Sequence, residues 1–158
     1  MTDNYIGIMI ESLRRKKDVL TDILKLSEEQ SLLLDDPNLE PDTFEKNVNR
    51  KAALIDKLEQ LDMGFESLYD KVKEELESNR DIHKEQIRQM QELIRALTEL
   101  NMQIQATEAR NKEKATAKFA YIRQQAKEIR SSQKIVKEYY NNMMHKAYNE
   151  PHFLDNKK

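Results

Sequence analysis

The fold is decided by the stretch Asp35-Asp36-Pro37-Asn38-Leu39-Glu40-Pro41-Asp42, which interrupts a chain that is otherwise patterned as helix. Two prolines four residues apart prevent a continuous helix, and the Asp and Asn residues favour turns. Pro41 suits the first turn of a following helix, where its missing N–H is not needed. The stretch therefore predicts a linker between two helices.

The chain on either side of this linker carries apolar residues at steps of three and four, which is the period of one helix face. We predict a first helix over residues 4–34 and a second over residues 42–77. The first face contains Ile6, Met9, Leu13, Leu20, Ile23, Leu24 and Leu34. The second contains Val48, Leu54, Leu58, Leu61, Phe65, Leu68, Val72 and Leu76.

A third helix is predicted over residues 81–147, after a turn at residues 78–81. Its apolar residues form two stripes separated by the polar span Gln105–Lys114, which contains no Gly or Pro. The span is expected to be helical with little to bury, and whether the helix is continuous there or folds back is open. The second stripe contains Ala115, Phe119, Ile122, Ala126, Ile129, Val136, Tyr140, Met143 and Ala147.

These three helices predict an all-α fold: an antiparallel helical hairpin packed on a very long third helix, as an elongated three-helix bundle or coiled coil. A helix of about 65 residues is about 100 Å long, and a helix of about 30 residues covers less than half of it. The stripe between residues 115 and 147 is therefore expected to lack a complete internal partner. Such a face indicates a binding site or self-association. We expect one helical domain over residues 1–148 and a disordered tail over residues 149–158.

Composition points away from an enzyme. The chain has no Cys, so neither a disulfide nor a cysteine nucleophile is available. The three histidines, His83, His145 and His152, are too far apart in sequence for a helical metal pair, and two isolated glycines cannot form a phosphate-binding loop. We therefore predict no catalytic residue, no cofactor and no metal site.

Charge is unevenly distributed along the chain. Residues 1–78 contain 11 basic and 19 acidic side chains, whereas residues 110–146 contain 10 basic and 3 acidic ones. Attraction between antiparallel helices of opposite sign would explain this, and so would an acidic partner of the basic stretch. A pI near 6.0 and the lack of a recognised motif argue against nucleic acid.

No apolar run approaches the roughly 20 residues that span a bilayer, and no signal peptide is evident, so we expect a soluble, cytoplasmic protein without membrane insertion. Near its end the chain has a cluster of Tyr and Met, Tyr139-Tyr140 and Met143-Met144. Such residues pack in cores, and they also form adaptable protein-binding surfaces. Both interpretations are open.

Several segments together resemble a known family. They are residues 54–66, Leu-Ile-Asp-Lys-Leu-Glu-Gln-Leu-Asp-Met-Gly-Phe-Glu; the aromatic segment Tyr139-Tyr140-Asn141-Asn142-Met143; and the ending Phe153-Leu154-Asp155-Asn156-Lys157-Lys158. In their order along nearly the whole chain they resemble the FlgN-type flagellar export chaperones, in the form found in Gram-positive bacteria.

The resemblance implies a cytoplasmic chaperone of type III export. It would bind hook-associated proteins of the hook–filament junction and deliver them to the flagellar export gate. It also implies substrate binding through the C-terminal helix. From the charge distribution we expect the basic side chains of that helix to guide an acidic substrate segment. The alternative is a structural coiled-coil protein that forms a homodimer through the same helix. On this chain the substrate-binding residues would be Phe119, Ile122, Ile129, Val136, Tyr139, Tyr140 and Met143.

Overall fold

The computed structural model describes the backbone of residues 2–144 and the side chains of residues 2–138. It contains three helices, α1 (Thr2–Asp35), α2 (Pro41–Ser78) and α3 (Lys84–Met144), and no strand within residues 2–144. The all-α prediction is confirmed. The predicted tail and the predicted helical residues 145–147 lie outside the described residues.

The boundaries differ from the predicted ones by one to three residues. The largest difference among the described boundaries is the start of α3, which was predicted at residue 81 and lies at Lys84. The backbone N–H groups of Ile82 and His83 both donate to the carbonyl of Asn79, at 3.2 and 3.4 Å. These bonds form a turn that delays the helix, and no Pro or Gly marks it in the sequence.

The linker residues 36–40 turn the chain so that α1 and α2 run antiparallel. Asn38 N–H donates to the Asp36 carboxylate at 2.8 Å, and Pro41 occupies the first turn of α2, as its fixed φ favours. Along the pair, Lys51 meets Gln30 and Lys71 lies over the ring of Tyr5. Positions that rise along one helix therefore fall along the other.

The N-terminal part of α3 completes a common apolar core with this hairpin. Met90 and Leu97 belong to the same buried cluster as residues of α1 and α2, such as Leu13 and Val72. Because α1 contributes a buried residue at nearly every third or fourth position, a thin seam rather than a thick globular core holds the three helices together. The fully or nearly buried members of the core are Ile6, Met9, Ile10, Leu13, Val19, Leu20, Ile23, Val72, Leu76, Met90 and Leu97.

The core continues into a cluster of polar side chains, which we name the polar layer. It consists of Ser27, Gln30, Asn47, Lys51, Thr107 and Asn111, all buried. The polar span Gln105–Lys114 thus buries Thr107 and Asn111, although the sequence predicted that it has little to bury. α3 has no break there.

Hydrogen bonds join the polar layer across all three helices. The Asn111 amide donates to the carbonyl of Ser27 at 2.8 Å and to Gln30 Oε1 at 3.1 Å. Lys51 Nζ donates to Gln30 at 3.0 Å and to Glu108 at 2.8 Å. Buried polar groups that are paired in this way favour one register of the helices over others, at some cost in stability.

His83 closes the opposite end of this bundle. It is buried, its Nε2 lies 3.1 Å from Glu75 Oε2, and its Nδ1 lies 3.7 Å from Asp3 Oδ1. In the following turn Arg88 donates to Glu85, and this bond lowers the pKa of the Glu85 carboxyl.

The chain divides into two compact units, Met1–Ala115 and Thr116–Lys158. The first contains α1, α2, the apolar core and the polar layer. The described part of the second consists of α3 from residue 116 onward. In the part of the chain that the structure describes, no helix is both long and apolar enough to cross a membrane.

Candidate protein-binding surface

The predicted substrate-binding residues of the second unit lie on a continuous helix, and the four whose side chains are described are solvent-exposed. Phe119, Ile122, Ile129 and Val136 are 44%, 48%, 59% and 54% exposed. Large apolar side chains at such exposure are usual when scattered, but four of them aligned on one face form a patch. The remaining three predicted residues, Tyr139, Tyr140 and Met143, lie in α3, but their side chains are outside the described ones.

The spacing of this face follows a heptad. One row contains Phe119, Ala126 and Gln133, and the other contains Ile122, Ile129 and Val136. Steps of four and three alternate from one row to the other, which is the pattern of the two core rows of a coiled coil. We name these six residues the α3 stripe. Every one of them is exposed.

A shallow groove lies along the C-terminal half of the α3 stripe. It brings Ile129 and Val136 together with Gln133 between them, whereas Phe119 and Ile122 do not line it. In a coiled coil, apolar side chains of this kind pack against a partner helix, and a single polar residue among them can specify the register of the pair. The groove is lined by Gln125, Glu128, Ile129, Ser132, Gln133, Val136 and Lys137.

Basic residues accompany the stripe on both sides. Lys118 and Arg123 flank its first part, and Arg130 and Lys137 flank its second part. Part of the excess of basic residues in residues 110–146 thus lies beside an apolar face. An arrangement of this kind binds a complementary helix through its apolar rows and orients it through charge.

Two exposed apolar residues of the second unit are absent from the predicted site. Tyr121 is 62% exposed and Ile135 is 66% exposed. Both lie two positions after a residue of the first row, so the three-and-four pattern that revealed the stripe does not include them. Tyr121 accepts a hydrogen bond from Gln125 at 2.8 Å, whereas Ile135 has only its exposure to mark it.

The fold and this surface define a helical protein that has side chains suited to holding other helices. Among the described residues no group of three or more His, Asp or Glu is placed to bind a metal ion. The sequence model of the FlgN protein family matches residues 1–145. The chain therefore belongs to the FlgN family, which is a family of flagellar chaperones and is not known for enzymatic activity. No curated protein and no solved structure gives a significant match to the chain.

Proposed function

We propose that the protein is a cytoplasmic chaperone that binds hook-associated flagellar proteins, keeps them unassembled and delivers them to the flagellar export gate for type III secretion. Family membership supports a flagellar chaperone. The observation that carries the binding site is the exposed apolar α3 stripe, with Ile122 and Ile129 about half exposed. An exposed face of this size and spacing is suited to pairing with a helix of the client.

The proposed site comprises the four large apolar residues of the stripe, Phe119, Ile122, Ile129 and Val136, together with Tyr139, Tyr140 and Met143. The Tyr and Met residues continue the same helix and would add adaptable contact area. The chain's own chemistry in this role is association alone, with no bond made or broken.

A pull-down with purified hook-associated proteins tests the client. The full chain should retain a hook–filament junction protein and should not retain an unrelated flagellar protein, such as a rod component, in the same amount. Failure to retain any hook-associated protein would contradict the proposed function.

The second candidate is a structural coiled-coil protein that self-associates through the α3 stripe. The heptad spacing of the stripe favours it, because two copies could pair their exposed rows. Sedimentation of the full chain separates the candidates. A stable dimer that binds no flagellar protein is the result expected for the structural role, and a monomer that binds a hook-associated protein is expected for the chaperone.

A further inference from the structure

The positions that border the two rows of the α3 stripe carry charge of one sign only. In a two-stranded coiled coil these bordering positions face the partner helix and govern which partner is accepted. Within residues 116–138 they hold four basic and three neutral side chains and no acidic one. They are Thr116, Lys118, Arg123, Gln125, Arg130, Ser132 and Lys137.

The two acidic residues of the same segment lie elsewhere on the helix. Glu128 is two positions after Ala126, and Glu138 is two positions after Val136, so both are away from the bordering positions. Glu128 is one of the residues that line the groove, and it accepts a hydrogen bond from Gln124 at 3.4 Å, on its own helix. The border of the stripe therefore carries no acidic side chain between residues 116 and 138, and its basic residues lie mainly on the side of Arg123, Arg130 and Lys137.

This border disfavours a second copy of the same helix. In a parallel pair Lys118 would face Arg123 of the other copy, and the other basic residues would face neutral ones. In an antiparallel pair Arg123, Arg130 and Lys137 would face the same three residues. Neither arrangement forms an ion pair between bordering positions, and like charges that face each other are destabilising.

The width of the apolar face limits the number of partner helices. Only two of every seven positions are in the stripe, and charged or polar residues border both rows directly. A helix packed into a larger bundle needs three to four apolar positions in two turns, whereas two rows suit a single partner helix. Residues 116–138 are about 35 Å long, which corresponds to about three heptads.

We propose that the α3 stripe accepts one amphipathic helix of another protein, with apolar residues in two heptad rows and acidic residues at the positions that border them. This inference rests on the proposed function and specifies the chemistry of the client segment. The acidic residues of the client would pair with Arg123 and Lys137, among others, and the interaction would weaken as salt screens the charges.

Three synthetic helices test the inference against the full chain. Each is a labelled 28-residue peptide with Leu in both heptad rows, and the bordering positions are all Glu, all Gln or all Lys. Fluorescence anisotropy at nanomolar peptide should show the Glu peptide binding roughly tenfold more tightly than the Gln peptide at low salt, because each exposed ion pair changes an equilibrium constant about twofold. The Lys peptide should bind most weakly.

A pair of charge-matched double variants locates the effect. Arg123→Gln with Lys137→Gln removes two basic side chains from the bordering positions and should strongly reduce the preference for the Glu peptide. Gln124→Glu with Ser131→Glu makes the same change in net charge on the side of the helix opposite the two rows, where neither residue is three or four positions from a basic border residue, and should retain the preference. If the two double variants lose the preference equally, the overall field and not the border is responsible, and the inference is overturned.

The remaining outcomes separate this inference from the proposed function. If the three peptides bind alike and Ile122→Asp with Ile129→Asp abolishes all binding, the stripe is a binding surface without an acidic preference. If no peptide binds, the inference is wrong. If the Ile122→Asp with Ile129→Asp variant still binds a hook-associated protein, the stripe is also not the binding site of the proposed function. Salt-sensitive self-association of the full chain would instead mean that the basic border binds a second copy. The acidic residues Glu59 and Glu66 on α2 of that copy would then be complementary in charge to the border.

Discussion

At the residue scale, two lysines illustrate how burial determines the contribution of a charged side chain to the stability of the fold. Lys51 is in the polar layer, its side chain is 9% exposed, and it bonds both Gln30 and Glu108. Lys114 bonds Ser31 and Asp35, but a third of its side chain is exposed. Water can replace the contacts of Lys114 far more easily than those of Lys51.

Substitution of Lys51 should therefore destabilise the protein more than substitution of Lys114. Lys51→Ala removes the ammonium group that bonds Gln30 and Glu108, although Asn111 still donates to Gln30, and it also removes the packing of the aliphatic stem. We therefore expect a loss of about 2 kcal/mol in the free energy of unfolding. Lys114→Ala should cost less than about 1 kcal/mol. Urea denaturation followed by circular dichroism measures both. Equal losses would contradict the role given to the polar layer.

The apolar core gives a second test at this scale. Leu20 is almost completely buried, whereas Ile8 on the same helix is more than half exposed. Leu20→Ala should lower the free energy of unfolding by about 3 kcal/mol through lost burial and a residual cavity. Ile8→Ala should change it by less than about 0.5 kcal/mol. A larger effect at Ile8 would mean that the packing of α1 is assigned to the wrong face.

Sequence reasoning was weakest for the residues of the polar layer. Ser27 and Gln30 interrupt the apolar face of α1, and Asn111 lies in a span without large apolar residues. A pattern that counts only apolar residues treats all three as gaps. They continue the three-and-four spacing of their helices, however, and the Asn111 amide of α3 donates to Gln30 Oε1 and to the backbone carbonyl of Ser27 on α1. Polar residues at three- and four-residue steps from the apolar residues of the same helix face were therefore the signal that the sequence analysis did not use.

At the element scale, the three helices could be predicted because strong local signals define them. Two prolines fixed the linker between α1 and α2, and long apolar periodicities fixed the helices themselves. The start of α3 was misplaced because the turn at residues 79–83 depends on backbone bonds to Asn79 and on the burial of His83. Neither feature is visible in local sequence.

The two parts of α3 should differ in local stability. Residues 84–115 bury Met90, Leu97, Thr107 and Asn111, whereas no side chain between residues 116 and 138 is buried. Helix without buried side chains opens more easily, because tertiary packing supplies most helix stability in proteins.

Amide hydrogen exchange on the free chain measures this difference. Amides of residues 90–111 should exchange at least about tenfold more slowly than those of residues 118–136. Binding of a hook-associated protein should slow exchange in residues 118–136. Uniform protection along the whole of α3 in the free chain would show that the second part is packed against another surface in solution.

At the scale of the whole molecule, the two units suggest separate tasks. The first unit contains the apolar core and the polar layer, and the second carries the exposed α3 stripe. Family membership identifies a flagellar chaperone, and we propose the stripe as the place where the client binds. The resemblance in residues 54–66, 139–143 and 153–158 pointed to this family, whereas composition and spacing alone pointed only to a helical binding protein. Which protein is bound as the client depends also on the residues of that protein, which this sequence does not include.

We propose that the α3 stripe is the surface that binds the client. Isothermal titration of the full chain with a hook-associated protein, in the original form and in two variants, tests it most directly. Ile122→Asp with Ile129→Asp places two charges in the stripe and should weaken binding at least about a hundredfold, since each change should cost roughly tenfold in affinity.

Ile135→Asp is the control for this titration, because Ile135 is exposed on the same helix but lies outside the two rows. It should alter the affinity by less than about twofold, as expected of a substitution outside the contact. If the stripe binds the client, the Ile122→Asp with Ile129→Asp variant should lose the client while the Ile135→Asp variant retains it. Undiminished binding by the stripe variant, or equal loss in both variants, would contradict it.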